Sequence, residues 1–338
     1  MNGNGGSLPG GGIESVKLAN AAGLEVELLN LGASIRSLRV PSENGRIDAV
    51  LGYPRVEDYA GDTFCLGATA GRYANRIANA CFKLDGREHR LAASSGQAGH
   101  CLHGGPGGFS RRLWSIISTD DPARARFRLI SPHGDQGFPG QLAVEVTYRL
   151  LEGWRLEIVF QAESDAPTVV NLANHAYFNL NSDGSPADNH LVRIRASRFT
   201  PVEQDLIPTG ELRDVVGTPF DFRNTASFRD RLEEYDEQLS FGGGFDHNYV
   251  LDGGQGELQP AAELSSPQSK LTLRVYTTQA GLQWYTGQHL GRPFRPFQGV
   301  CLEAQGFPNA PNTPGFPDTT LRPGEHYAHT TIYELLEH

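Results

Sequence analysis

The chain of 338 residues carries 29 basic and 39 acidic side chains, a net charge of −10, which argues against nucleic acid or an anionic membrane as the main partner. No apolar stretch approaches the roughly 18 residues that a membrane helix needs. The four cysteines (Cys65, Cys81, Cys101, Cys301) form no CxxC pair, so free thiols in a reducing, cytoplasmic setting are expected.

The opening MNGNGGSLPGGG has neither the charged nor the apolar region of a signal peptide. Residues 1–12 therefore read as a flexible tail and 13–338 as one domain. Beyond the tail, VKLAN (16–20) and LEVELLNLGA (24–33) read as strands, and CFKLDGREHRLA (81–92) as a hairpin turning at Asp85-Gly86. ARFRLISP (125–132) is a further strand. LAVEVTYRLLEGWRLEIVFQAES (142–164) forms a second hairpin about Glu152-Gly153, and LVRIRASRFTPV (191–202), LTLRVYTTQAGLQWYTG (271–287) and HTTIYELLE (329–337) continue the alternation. TASFRDRLEEYDEQL (225–239) reads as one short helix capped by Thr225 or Ser227. Many short strands at turn spacing, with no repeat and no linker, predict an all-β, antiparallel sandwich or barrel with few short helices.

Five clusters of polar residues stand out against this background, because a polar group on an inward-facing strand position must find a partner. GRYANRIANA (71–80) holds Arg72, Asn75 and Arg76, and an arginine fork suits vicinal hydroxyls or a carboxylate. In CLHGGPGGF (101–109) no helix follows the glycines, so they are expected to turn the backbone and present His103 rather than cradle a phosphate. NLANHAYFNL (171–180) surrounds His175 with three amides, expected to fix its tautomer and orientation, and FDHNYVLD (245–252) joins Asp246, His247 and Asn248. In GVCLEAQGFPNAPN (299–312), Glu303 sits inside an apolar run; burial raises a carboxylate's pKa, as a general base near neutral pH requires. A metal site built from these histidines and Glu303 lacks any HExxH-like spacing. A serine hydrolase lacks its G-x-S-x-G elbow, and a dinucleotide enzyme lacks its βα-linked G-x-G-x-x-G.

GRYANRI, LHGGPGGF, NHAYFNL, FDHNYVL, LQWYTG and LEAQGFPNAPN occur in that order over residues 71–312. In these motifs the chain resembles the aldose 1-epimerases, also called galactose mutarotases, and PGEHYAHTTIYEL (323–335) looks like that family's closing strand. The resemblance implies an antiparallel β-supersandwich of the galactose mutarotase type, an open cleft on one sheet, and no cofactor or metal. Motif by motif, it implies Glu303 as general base and His175 as general acid, with Asn75, Arg76, His103, Tyr177, Asp246 and Gln283 as substrate contacts. Tyr73 and Trp284 stand where other members often carry different apolar residues, and are expected to reshape the cleft wall.

The implied reaction interconverts α and β anomers of a free aldohexose such as glucose or galactose. The acid and base are expected on opposite sides of one C–O unit, with anionic Glu303 holding His175 charged. A hexose-6-phosphate 1-epimerase and a non-catalytic carbohydrate-binding module are the rival readings. The expected partner is a small-molecule aldose, with neither nucleic acid nor membrane, and the chain a monomer or weak homodimer.

Overall fold

Alternation along the strands fixes which face each sheet buries. In the computed structural model, which describes residues 12–43 and 45–337, Leu142–Leu150 buries every second residue, and Arg155–Ser164 does the same. Successive side chains point to opposite faces, so one face joins the core and the other meets solvent. These two strands lie within a nine-stranded antiparallel sheet. Its order is Ser115–Ile117, Arg124–Ser131, Leu142–Leu150, Arg155–Ser164, Tyr327–Glu337, Leu271–Thr277, Gln259–Ser265, Leu191–Ile194, Ala226–Ser227. The predicted tail falls outside the described residues except for Gly12.

A second, six-stranded antiparallel sheet has the order Tyr177–Phe178, Val300–Gln305, Gly281–Tyr285, Asp246–Leu251, Ala196–Thr200, Arg213–Asp214. Two of the predicted runs cross between the sheets. Residues 191–202 leave the larger sheet at Arg195, and residues 271–287 leave it after Thr277. The sheets pack face to face: Phe178 meets Tyr333 edge-on at 5.0 Å, and Phe160, Leu282, Val300 and Leu302 are sealed in the same core. The structure is thus the all-β antiparallel sandwich that the sequence predicts.

Val300–Gln305 is buried at every position, unlike the half-exposed strands of the larger sheet. Its even-numbered residues face the core, while Cys301, Glu303 and Gln305 point the other way and are buried as well. The functional residues therefore stand on a rigid floor.

Both predicted hairpins form, and Asp85 and Gly86 take the left-handed backbone that a tight two-residue turn requires. Residues 225–239 differ from expectation. They hold two helices, Phe228–Leu232 capped by Ser227 and Glu237–Gly242 capped by Asp236. The side chain of Asp236 accepts from the Gln238 N–H, so it starts a new helix instead of continuing the old one. Among the described residues no helix is long and apolar enough to cross a membrane.

Arg72 and Tyr73 are structural. The Arg72 guanidinium is buried and donates to the carbonyls of Pro139, Gly140 and Ser131 and to the hydroxyls of Ser131 and Thr168. Burial pushes its pKa down to about 10. Arg72→Met is expected to cost about 3–5 kcal/mol in chemical denaturation, because it leaves these buried acceptors unpaired. Tyr73 is fully buried and donates to the Phe307 carbonyl. Trp284 is also fully buried, against Phe222, Phe228 and Phe245 on the core face of its strand. Neither residue reaches the cleft, so the expectation that they shape its wall is corrected.

Candidate active site

Seven of the eight predicted site residues converge on one open cleft of about 270 Å³: Asn75, Arg76, His103, His175, Tyr177, Asp246 and Glu303. Gln283 lies behind it, donating through Nε2 to Asp246 Oδ1 at 2.6 Å. Strand register makes the arrangement. Asn248, Gln283 and Glu303 are cross-strand neighbours, as are Asp246, Tyr285, Cys301 and Tyr177 one row along. His247 falls on the opposite face, fully buried, with its ring 4.7 Å from that of Phe220.

The catalytic candidates are 128 residues apart in the chain (303 − 175), yet His175 Nε2 lies 3.7 Å from Glu303 Oε1. Both are almost wholly buried, at 5% and 2% exposure. They stand side by side on the cleft floor. The geometry serves one hemiacetal, because O1 and O5 are bonded to the same carbon.

The amides around His175 do not hold its ring. Asn171 donates to the carbonyls of Ala74 and Gly306, Asn174 to that of Gly67, and Asn179 to those of Ser185 and Gln298. They knit irregular backbone in a region where unpaired carbonyls would be costly. The imidazole instead sets Nδ1 3.5 Å from Cys301 Sγ, and its ring lies 5.0 Å from that of Tyr177. Tyr177 donates to the Phe64 carbonyl.

Burial dominates the electrostatics. It pushes Glu303 well above the usual carboxylate range; Asp246 adds to the rise and Arg76 opposes it. It pushes His175 down to about 4, against smaller opposing effects that include the charges of Asp62 and Asp246. Burial thus disfavours the charged form of both groups, and it opposes the expected hold of Glu303 on a charged His175. The neutral pair has the same proton count as the carboxylate–imidazolium pair, so one proton relocated within the site converts either form into the other.

The remaining lining is suited to hydroxyls. Arg76 Nη1 lies 3.4 Å from Asp246 Oδ2, and its Nε donates to Gln97. The Asn75 backbone N–H donates to His103 Nδ1 at 3.2 Å. Burial holds His103 well below its ordinary pKa, helped by His175 and Arg76. The neutral ring thus carries its proton on Nε2, ready to donate. The loop bearing it packs closely because Gly104, at φ +83°, has no Cβ to strike the Gly71 carbonyl.

His103, His175 and Glu303 each offer a ligating atom within 4.8 Å of the others. The donor set does not suit a metal. The Nδ1 of His103 is occupied by the Asn75 N–H, so Nε2 bears the hydrogen a metal would have to displace.

Sequence reasoning missed Thr63, Phe64, Cys65, Gln97, Leu102, Tyr285 and His289 as lining. Tyr285 had a signal, since it is two residues beyond Gln283 on one strand face. The others stand outside the regular strands except Leu102, and their sequence surroundings carry no such period.

Comparisons with known proteins identify the family. The family described as aldose 1-epimerase matches residues 14–334. The chain is 40% identical to the aldose 1-epimerase of Escherichia coli K12 over 329 residues, 94% of each chain. It is also 40% identical to the galactose mutarotase of Homo sapiens over 344 residues, covering 98% of this chain and 96% of that one. Among solved structures, an aldose epimerase homologue from C. elegans superposes with a TM-score of 0.88 at 30% identity, covering 96% of this chain and 99% of its own. A galactose 1-epimerase from Lactobacillus acidophilus NCFM superposes with a TM-score of 0.86 at 31% identity, covering 96% and 95%. A matching family over nearly the whole length, close relatives covered almost end to end, and the same fold together mean that the chain belongs to the aldose 1-epimerase family and is an enzyme of the isomerase class.

Proposed function

We propose that the protein interconverts the α and β anomers of free aldohexoses such as glucose or galactose, with Glu303 as general base and His175 as general acid. One observation carries this reading: a buried carboxyl and a buried imidazole, 3.7 Å apart, on the floor of an open cleft lined by hydroxyl-binding groups. Glu303 takes the proton of the C1 hydroxyl and His175 gives one to the ring oxygen. The C1–O5 bond breaks and an open-chain aldehyde forms. Rotation about C1–C2 presents the other carbonyl face, and the same two residues reverse their roles as the ring closes.

Burial favours this flow of protons. Ring opening converts carboxylate and imidazolium into the neutral pair that the dry floor prefers, so desolvation lowers the energy of the open-chain state. Asn75, Arg76, His103 and Asp246 hold the other hydroxyls, so that rotation moves only C1 and its oxygen. Tyr177 walls the acid's side, and Gln283 fixes Asp246. No step calls for a cofactor.

Polarimetry on freshly dissolved α-D-glucose and α-D-galactose tests the reading: accelerated decay of rotation supports it, and sugar binding without acceleration would instead favour a binding module. Glucose 6-phosphate separates the phosphorylated alternative. Arg76 is the only Lys or Arg lining the described cleft and is already engaged by Asp246, so free hexose is the expected substrate. Arg76→Met is expected to raise KM by roughly 10- to 100-fold, the loss of a charged hydrogen bond, with a smaller effect on kcat. The expected assembly is a monomer or weak homodimer, and free thiols at all four cysteines support a cytoplasmic setting.

A further inference from the structure

Behind Glu303, on the same face of the six-stranded sheet, lies a group of amides that the mechanism does not use. Asn248, Gln283 and Glu303 are aligned across three strands; Gln305 follows Glu303 by two residues and pairs with Gly281. All four side chains are at most 2% exposed. Six of their polar atoms have no hydrogen-bond partner among the described residues: both side-chain atoms of Asn248, both of Gln305, Oε1 of Gln283 and Oε2 of Glu303. Gly281 provides the space, since a Cβ there would collide with Asn248 Oδ1 and press on the Gln305 carbonyl and the Phe307 ring.

Natural proteins rarely leave so many buried polar atoms unpaired, and buried polar groups that lack protein partners are commonly satisfied by ordered water. The donors and acceptors are complementary: two amide nitrogens stand among four acceptor oxygens. Glu303 Oε1 is the oxygen facing His175, so Oε2 is the one left for this second shell.

We propose that Asn248 and Gln305 are positioning residues for the base, holding ordered water against Glu303 Oε2 so that the carboxylate keeps one orientation and receives hydrogen bonds when charged. This inference rests on Glu303 being the base. Neither amide lines the cleft. They act through the carboxylate, by supplying donors that favour its ionised form as it collects the C1 proton.

The test uses Gln305→Met and Asn248→Leu, which keep volume and remove the amides, beside Glu303→Gln. Each amide variant is expected to keep its fold by circular dichroism, lose about tenfold in kcat, and keep KM for galactose within about twofold. Without donors to the ionised form, Glu303 gives up its proton less readily, so the alkaline limb of the pH–rate profile moves upward. Asn248→Ser, which keeps a hydroxyl and room for water, is expected to recover most of the rate. Unchanged kcat and pH limbs in both amide variants, with Glu303→Gln inactive, would overturn this inference alone; an active Glu303→Gln would overturn the assignment of the base as well. Should the variants not fold, a high-resolution crystal structure of the unaltered protein decides. Water within about 3.2 Å of Glu303 Oε2 and both amides is expected, and a dry site with the amides paired to one another would refute it.

Discussion

Glu303→Gln is expected to lower turnover of α-D-galactose by about 100- to 10,000-fold, measured by polarimetry, while raising the melting temperature at pH 8. The kinetic loss follows because an amide cannot take the C1 proton. The gain in stability follows from the direction of the pKa shift. Burial raises the carboxyl of Glu303 well above its ordinary value, so the stabilisation it contributes is fully present below about pH 4.5 and is lost as pH rises through the native value. At pH 8 the unfolded chain gains by ionising a group that the native floor disfavours in that form. Glutamine, neutral in both states, removes this penalty. A variant that is inactive but less stable at pH 8 would mean that Glu303 is held by contacts stronger than its desolvation. His175→Asn is expected to lose turnover to a similar degree, and the double variant to lose little more, since the two act on one proton inventory.

The second large effect is the response to acid. Burial depresses His175, His190 and His247 to about 4 and His329 to about 3, and it also lowers His103 and His89. A depressed histidine contributes stability that is present above its unfolded value near 6.5 and is lost as pH falls through its native value. Each of the first four is worth roughly 3 kcal/mol once fully protonated in the unfolded chain, so these four together approach the typical net stability of about 5–15 kcal/mol. The melting temperature is therefore expected to hold between pH 7 and 8, fall steeply from pH 6.5, and reach acid unfolding near pH 4. His329 donates through Nε2 to the Leu172 carbonyl; His329→Gln, which keeps a donor, is expected to make the decline shallower by one proton. A melting temperature constant from pH 7 to 4.5 would contradict these burial-driven shifts. Activity follows the same sign. The working pair shares one proton, and a second reaches His175 only near pH 4, so the acid limb of kcat/KM lies below pH 5. An acid limb at pH 6–7 would show a histidine with its ordinary affinity.

Much of the site was legible in the chain because its chemistry is concentrated in short motifs. Glu303 stood out as a charge inside the apolar run VCLEA, and such a residue is buried only for a reason. His103 stood out through the glycines after it, and Gly104 does meet the Gly71 backbone where no side chain would fit. Period two placed the strands, and register then brought Asp246, Gln283 and Glu303 to one face. What failed locally was sidedness and competition. Trp284 was expected at the cleft wall because other family members often carry a different apolar residue there, whereas strand alternation sends it into the core. Residues 225–239 looked like one helix because the apolar spacing continues, whereas the Asp236 side chain caps a second start.

By itself, then, the chain determined the strand content, the turns at Asp85-Gly86 and Glu152-Gly153, and which residue types do the chemistry, since these depend on side-chain period and on local backbone preference. Tertiary structure alone decided that the imidazole and the carboxyl stand side by side, that the amides of 171–179 bind backbone while Cys301 meets the ring, and that burial disfavours charge on both members of the catalytic pair. Those outcomes depend on strand register and on how far water is excluded, and both are set by contacts between segments more than a hundred residues apart.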